Sequence, residues 1–298
     1  MRVAAHLGVK DEASLLARAI DHLYSIGVDQ VIATDMGSTD GSLEILRRYR
    51  DKGPLQLVEL DDRAPDMLHE WSPRVTALVK AANVDWAIFL DADEFPLPAT
   101  GSIKDCRALA TADVLLIDRF NVPLSPAGIL FPDAVGPGAH ANISLIVEPI
   151  ADFHDHLLAN PDTPWIRGVP MPKALARPGA MASVTVGGHD VVAMEGVSLR
   201  KVRPADLVIA HLPFTDRSRF VSKVENVTST IRANPSFFQG RIAWHWRRWL
   251  DQHRDGTIDA EFDRQAFSPG ALEDLRAQGV IIDAASWFAR QAGVDRPA

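Results

Sequence analysis

Two kinds of apolar pattern alternate along the first hundred residues of this chain. Residues 3–9 and 86–90 are short, mostly apolar runs, which are typical of strands buried on both faces. Between them, apolar residues recur at helical spacing, for example at Leu16, Ile20 and Leu23. Short polar turns separate the segments. This alternation predicts an α/β fold, with an open, mostly parallel sheet and helices on both of its faces.

The pattern changes after about Gly101, where strand and helix patterns no longer alternate. Proline and glycine cluster at 123–138 and 161–180, which predicts a loop-rich segment with short strands. Helical spacing then returns toward the end of the chain. We expect these later helices at residues 222–231, 242–253, 269–278 and 284–291. These changes in pattern predict that the chain is divided into three parts, at residues 1–100, 101–225 and 226–298.

Composition and charge narrow the possible functions. The chain has 298 residues and is 47% hydrophobic, which is enough for a sizeable core without covalent crosslinks. Its single cysteine, Cys106, cannot form an internal disulfide and favours a reducing compartment. A net charge of -8 argues against a general attraction to nucleic acid or anionic membranes. Without an apolar run long enough to span a bilayer, the expected location is the cytoplasm.

One acidic turn follows the apolar run at 86–90 directly. If the strand persists through it, Asp91 and Asp93 project to the same face, because side chains alternate along a strand. Two carboxylates at the active edge of a sheet suit Mg²⁺ or Mn²⁺, which complete their coordination with substrate phosphates. Such a cation would neutralise a diphosphate leaving group. An isolated Asp-x-Asp is more often a solvated turn, but its position after a buried strand favours a metal site.

A second polar turn, at residues 34–42, lies between a predicted strand and a predicted helix. Its first carboxylate, Asp35, is placed to accept hydrogen bonds from a nucleobase imide or a ribose hydroxyl. The alternative is a simple turn and helix cap, since Gly, Ser, Thr and Asp dominate such positions for backbone reasons.

Together these segments resemble the family 2-like glycosyltransferases, particularly a bacterial subgroup, over roughly residues 1–225. The blocks that carry the resemblance are Lys10-Asp11-Glu12, the turn from Asp35 to Gly41, Arg74, and the turn from Asp91 to Phe95. Looser matches follow at 172–178, at 187–189, and at 211–214 with Ser218, Phe220 and Lys223. The chain departs from the subgroup at Asp11, where asparagine is usual, and at Met36, where Asn or Asp is expected.

The resemblance implies a GT-A (Rossmann-like) fold, a nucleotide-sugar donor and a divalent cation, Mn²⁺ or Mg²⁺. Residues 1–100 would bind the nucleotide sugar, 101–225 would supply the acceptor and catalytic half of the same domain, and 226–298 would be a helical extension. A UDP-sugar is the expected donor. The residues implied for nucleotide-sugar binding are Glu12, Asp35, Arg74 and Asp91, and those implied for the metal are Asp91 and Asp93, with Asp93 favoured as the direct ligand.

The second half offers the remaining candidates. His189 and His211 are each a possible additional metal ligand, and each is equally compatible with an ordinary hydrogen-bonded loop histidine. Lys173 is assigned to the donor phosphates or the acceptor. Asp190 is the preferred catalytic base, because it lies about as far past the metal turn as the base does in related enzymes. Asp152, Asp155 and Glu148 are the alternatives for that role.

Other functions fit parts of the pattern. A sugar-1-phosphate nucleotidyltransferase would show a glycine-rich loop after the first strand, which residues 7–12 lack. A non-catalytic nucleotide-sugar-binding module would keep the fold without turnover, and a hydrolase could use His154, Asp155 and His156. The sequence predicts a glycosyltransferase whose acceptor, whether a sugar, a lipid-linked or a protein substrate, is not specified. Polysaccharide biosynthesis is one setting for it.

Overall fold

The computed structural model describes residues 1–60, 67–133, 142–233, 244–291 and 295–297. The strands are β1 (Val3–Val9), β2 (Gln30–Asp35), β3 (Leu55–Glu59), β4 (Trp86–Asp91), β5 (Glu94–Pro98), β6 (Val114–Ile117), β7 (Arg119–Asn121), β8 (Leu124–Ser125), β9 (Gly128–Ile129), β10 (Ser144–Ile146), β11 (Lys173–Ala176), β12 (Met181–Val184), β13 (Val191–Ala193), β14 (Lys201–Arg203), β15 (Leu207–His211), β16 (Ile281–Asp283) and β17 (Arg296–Pro297). The α-helices are α1 (Ala13–Ser25), α2 (Ser42–Lys52), α3 (Met67–Ala81), α4 (Phe153–Ala159), α5 (Arg217–Ala233), α6 (Trp244–Arg254), α7 (Ile258–Arg264), α8 (Pro269–Ala277) and α9 (Ala284–Gln291).

The central sheet has eight strands in the order β17-β14-β6-β11-β4-β1-β2-β3. Strand β1 lies between β2 and β4 and runs parallel to both, and β2 runs parallel to β3. Strand β11 is antiparallel to its two neighbours, β4 and β6. The predicted fold class, an open and mostly parallel α/β sheet, is therefore confirmed.

Helices cover both faces of this sheet. On one face, Leu16 and Ile20 of α1 and Leu46 of α2 join a core with the inward side chains of the parallel strands. On the opposite face, Val75 and Val79 of α3 pack against a second set of strand residues. The strands contribute to both cores because alternate side chains point to opposite faces. This two-sided burial is the physical reason for the continuous apolar strand runs.

The start of α3 differs from its sequence signal. Ser72 followed by Pro73 predicts a helix start, since serine is a common N-cap and proline is common in the first turn. Helix α3 instead extends back to Met67, and Pro73 lies inside it. Proline costs the helix a backbone hydrogen bond. The Ser72 hydroxyl donates to the carbonyl of Val184, so this segment is fixed by a tertiary contact rather than by a cap.

The chain leaves the main sheet after β4 and enters a smaller sheet of order β5-β15-β7. Strand β15 is antiparallel to β5 and parallel to β7, so His211 lies opposite Glu94 on one side and Asn121 on the other. The polar ends of these three strands therefore meet beside the end of β4.

The predicted C-terminal helices are present as α5, α6, α8 and α9. Positions 242–243 and 134–138 of the predicted segments lie outside the described residues. Helix α6 packs Trp249 against Phe214, Phe220 and Trp165. In the described part of the chain, no helix has the length and apolar character needed to cross a membrane.

One buried histidine of β1 makes the stability of this sheet depend on pH. Complete burial lowers the pKa of His6 to about 4, with smaller opposing effects from Asp91, which raises it, and Lys173, which lowers it. Histidine in the unfolded chain has a pKa of about 6.5. Below that pH, His6 binds a proton in the unfolded state but stays neutral in the folded state. The free energy of unfolding that is present above about pH 6.5 therefore decreases as the pH falls toward 4.

We predict that His6 alone lowers the free energy of unfolding by about 2 kcal/mol between about pH 7 and about pH 5. Urea unfolding of the wild type and of His6→Asn at both pH values measures this, since the variant should lose that part of the pH dependence. An unchanged pH dependence in His6→Asn would contradict the prediction.

Candidate active site

The two acidic turns meet at one edge of the central sheet. In the strand register, Gly8 of β1 lies opposite Asp91 and Val9 lies opposite Asp35. A Cβ atom on Gly8 would lie 3.7 Å from Asp91 Oδ1 and 4.0 Å from Met36 Cε. The small residue thus keeps the space between the two turns open. Ligands of open α/β sheets bind beyond such carboxyl ends of parallel strands.

The two carboxylate oxygens of Asp35 have different surroundings. Oδ2 accepts hydrogen bonds from the backbone N–H groups of Gly37 and Ser38, both at 3.1 Å. Oδ1 is buried and has no hydrogen-bond partner among the described residues. A buried carboxylate oxygen without a donor is costly, which makes it a good acceptor for a ligand N–H or O–H group. One oxygen of Asp35 therefore shapes the turn and the other is left without a donor among the described residues.

The second acidic turn does not continue the strand. Strand β4 ends at Asp91 and the chain turns at Ala92 and Asp93 before β5 begins. Strand alternation therefore does not govern this pair: Asp91 bonds Lys173 Nζ at 2.8 Å, whereas Asp93 bonds Arg219 and Lys223. The Asp91 side chain is 52% exposed and that of Asp93 is 2% exposed. The expectation of one shared strand face is corrected by this bend.

The bend places Asp93 beside β15 and creates a group of possible metal ligands. Ligand atoms of Asp93, Glu94 and His211 all lie within 4.8 Å of one another, and this is the one such group among the described residues. It contains two predicted metal residues, Asp93 and His211. It adds Glu94, for which the sequence predicted no role, and it does not include Asp91 or His189.

His211 is held in a defined orientation. Its Nδ1 lies 2.7 Å from Asn121 Oδ1, and the amide of Asn121 donates through Nδ2 to the carbonyl of Ile166. Nδ1 therefore carries the proton, and the lone pair of Nε2 faces Asp93 Oδ2 at 3.9 Å. Burial, with Arg119 next in size, lowers the pKa of His211 well below its ordinary value, so the ring is neutral. Neutral imidazole is the form that binds metals.

Helix α5 supplies two cations to this region. Arg219 bonds both oxygens of Glu12, at 2.7 and 3.1 Å, and Asp93 Oδ2 at 2.9 Å. Lys223 Nζ lies 2.6 Å from Asp93 Oδ2 and 3.0 Å from Glu12 Oε1. Because the two cations are four positions apart, they extend from one face of the helix. Glu12 is therefore an internal counterion here, in contact with helix α5.

Two further cations complete the arrangement. Lys173 lies between Asp91 and Glu94, at 2.8 and 3.0 Å, and Arg119 also bonds Glu94. Four carboxylates thus face four cations. We call these eight side chains the charge cluster: Glu12, Asp91, Asp93, Glu94, Arg119, Lys173, Arg219 and Lys223.

The pKa values reflect this balance. Burial alone would raise the pKa of Asp93, but the charges of Lys223 and Arg219 hold it well below its ordinary value. Burial raises the pKa of Glu94, although Lys173 and Arg119 act in the opposite direction. The two acids are adjacent in sequence yet shift in opposite directions. Each acid has two neighbouring cations, but the nearby carboxylates Asp91 and Asp93 also raise the pKa of Glu94.

The remaining predicted residues lie in other surroundings. Arg74 pairs with Glu70 on the exposed side of α3. His189 Nδ1 bonds the carbonyl oxygen of Pro172, and burial, with Lys173 next in size, lowers its pKa to about 4. Asp190 pairs with Lys201 at 2.6 Å. The contacts described for these three residues do not join them to Asp93.

Several members of the site carry weak sequence signals. Arg219 has the clearest, because its spacing of four from Lys223 places both on one helix face. Asn121 and Arg119 lie on a three-residue strand with no motif around it. Their neighbours in space come from β15 and β5, far away in sequence, so only the fold reveals their role.

The chain is similar to known proteins over its first third. Residues 7–102 match the family described as Glycosyl transferase family 2. This segment contains both acidic turns, and the resemblance found in the sequence is confirmed over it. No curated protein matches the chain.

Solved structures show more distant similarity. TarS 1-349 from S. aureus in complex with UDP is 21% identical over 41% of this chain and 36% of that chain, with a TM-score of 0.33. A mannosyltransferase from Pyrobaculum calidifontis in complex with GDP-Man and Mn²⁺ is 14% identical over 98% and 84%, with a TM-score of 0.36. Glucosyl-3-phosphoglycerate synthase from Mycobacterium tuberculosis in complex with Mn²⁺, UDP and glucosyl-3-phosphoglycerate is 14% identical over 78% and 79%, with a TM-score of 0.35. This chain thus spans about a third of the length of that TarS structure.

Arg219 provides a direct test of the charge cluster. Replacing it by methionine leaves the buried Glu12 and Asp93 without their shared guanidinium, which we expect to lower the free energy of unfolding by about 3–5 kcal/mol. Urea unfolding measures the loss.

Arg217→Met is the matched control, two positions earlier on the same helix. Arg217 pairs with Asp259 and Asp263 at the surface. Exposed pairs contribute little because water screens them, so this variant should be close to the wild type. Similar stability of the two variants would mean that the buried pairing is unimportant.

Proposed function

We propose that this chain is a glycosyltransferase that moves a sugar from a nucleotide-diphosphate donor, with a divalent cation at the acidic turn of residues 91–94. The observation that carries this proposal is the position of the two turns. The segment that matches the family contains both of them, and β1 brings them together at the carboxyl edge of the parallel strands. A donor lying across this edge would reach the base-binding turn and the phosphate-binding turn at once.

The base or ribose of the donor would bind at the Asp35 turn. The free Oδ1 of Asp35 supports this, since it can accept the imide N–H of a uracil or a ribose hydroxyl. Met36 beside it offers an apolar contact in place of the expected polar one. We favour UDP as the nucleotide on this basis. Arg74 and Lys173 are the proposed contacts to the diphosphate.

The residues fit a divalent cation. The lone pair of His211 Nε2 and the oxygen Asp93 Oδ2 face each other at 3.9 Å without a proton between them, so a cation between them would relieve their repulsion. A metal bonded to each at about 2.1 Å permits separations of about 3–4 Å. Asp93, Glu94 and His211 would hold Mn²⁺ or Mg²⁺, and Asp91 would bind the ribose or the metal. When bound, the cation would neutralise charge on the leaving diphosphate.

The cations of the charge cluster would contribute to donor binding. Arg219 is almost completely buried and bonds Glu12 with both nitrogens of its fork, so it stays with the protein. Lys223 is 23% exposed and has one compact ammonium group. Lys223 is therefore the cation of α5 that is free to turn from Asp93 toward a donor phosphate.

Asp190 is the proposed general base, which would take the proton of the attacking hydroxyl. Its side chain is 39% exposed, so an acceptor can reach it, and its ion pair with Lys201 holds the carboxylate in place. The same chemistry applies when water replaces the acceptor, so hydrolysis of the donor reports on the base.

The first test of the function is thermal unfolding against UDP, GDP, CDP and dTDP, each with and without Mn²⁺. We expect one nucleotide, UDP by preference, to raise the midpoint by several degrees only when Mn²⁺ is present. A ligand at about 100 times its Kd adds about 2.7 kcal/mol to stability. Asp93→Ala should lose the Mn²⁺ dependence, whereas the exposed control Asp105→Asn should keep it.

Product analysis separates the alternatives. A glycosyltransferase releases the nucleoside diphosphate from the donor, whereas a nucleotidyltransferase forms pyrophosphate from a nucleoside triphosphate and a sugar phosphate. A binding module shows the thermal shift without either product. If no nucleotide shifts the wild-type midpoint, the proposal fails, and a hydrolase built on His154 and His156 becomes the next hypothesis to test.

The role of Asp190 has its own test. Asp190→Asn should lower kcat for donor hydrolysis by about 10²–10⁴-fold while leaving the KM for the donor unchanged, because a general base acts in the chemical step. Lys201→Met is the companion variant, which keeps the carboxylate and removes only its partner. Retention of the wild-type kcat in Asp190→Asn would exclude Asp190 as the base.

A further inference from the structure

A cavity of about 490 Å³ adjoins the candidate active site. It lies along the edge strand β7 and is bounded by α9, by residues 147–149 and by residues 169–172. This volume is in the range of small-molecule binding sites. Two features connect the cavity to the charge cluster: Arg119 lines it while bonding Glu94, and its wall at Pro172 directly precedes Lys173.

The cavity is positively charged in an acidic protein. Its lining includes four arginines and two carboxylates, which are Arg119, Arg203, Arg290, Arg296, Asp118 and Glu148. Arg203 and Arg296 both pair with Asp118, and Arg119 is engaged by Glu94. The lining alone therefore carries two more positive than negative charges.

Arg290 is the available cation. Its side chain is exposed on α9, with its guanidinium 3.5 Å from the position that a Cβ on Gly279 would occupy. No hydrogen bond or ion pair joins it to the described residues. A planar guanidinium with unused donors is suited to bidentate recognition of a phosphate or a carboxylate.

Part of the cavity lining is apolar. Phe120 and Trp287 are buried there with ring centroids 5.8 Å apart. Val169 and Met171 also line the cavity and are 57% and 58% exposed. A ligand for this cavity therefore combines an apolar face, as a sugar ring presents through its C–H groups, with an anionic group.

We propose that this cavity binds the acceptor, and that the acceptor carries a phosphate or carboxylate group recognised by Arg290. The assignment rests on the proposed glycosyltransferase function, since it places the acceptor beside the donor turn. Arg290 acts as a specificity residue that recognises the anionic group of the acceptor. The anionic group would lie toward α9, and the sugar ring would lie over Phe120 and Trp287.

Isothermal titration with glucose 6-phosphate, glucuronate, glucose and inorganic phosphate tests the cavity without requiring the natural acceptor. At least one anionic sugar should bind the wild type more tightly than glucose or inorganic phosphate does. Arg290→Gln should weaken that binding by tenfold or more. Arg276→Gln, which removes an exposed arginine of α8, should leave it unchanged.

The proposal is overturned if glucose or inorganic phosphate binds as tightly as the anionic sugars do, or if no probe binds at millimolar concentration. Anionic-sugar binding that is unaffected by Arg290→Gln would also overturn it. The Mn²⁺-dependent nucleotide shift should be the same in Arg290→Gln as in the wild type. If the wild type itself shows no such shift, the proposed function fails, whatever the sugars show about the cavity.

Discussion

The buried pairing of Glu12 and Asp93 with Arg219 holds the candidate site together. The three residues come from the loop before α1, the turn after β4 and the helix α5, so one guanidinium joins segments more than two hundred positions apart. A buried carboxylate is tolerated only when charge and hydrogen bonds replace its lost water. The acidic turn can therefore bend away from the strand and bury Asp93 only because α5 supplies these cations.

This dependence connects stability with function. The carboxylates that the proposed metal would use are the same ones that the lysines and arginines neutralise. Adding a divalent cation makes the cluster positive, and a diphosphate donor carries the negative charge that restores the balance. If the proposed cation and diphosphate donor bind here, each should therefore strengthen the binding of the other, which is positive coupling between two ligands.

The sequence predicted the parts of the fold that local patterns determine. The parallel strands, the helices on both faces and the meeting of the turns at Asp35 and Asp91 follow from apolar periodicity and from where polar turns interrupt it. The role of Glu94 could not be predicted in this way. Strand alternation would have placed Asp91 and Asp93 on one face, but the chain turns at Ala92 to enter the small sheet, where pairing with β15 aligns Glu94 with His211. Such a pairing depends on residues more than a hundred positions apart, and no local pattern contains it.

Arg119 connects the charge cluster with the arginine-rich cavity. Its guanidinium bonds Glu94 in the charge cluster, lines the arginine-rich cavity, and has a buried Nε without a partner among the described residues. An anion bound in the cavity would compete with Glu94 for this guanidinium. Any weakening of the Arg119–Glu94 bond leaves Glu94 more available to a metal ion, and by linkage a metal bound to Glu94 leaves Arg119 more available to the anion. If the acceptor is anionic, donor and acceptor binding would therefore favour each other through this one side chain.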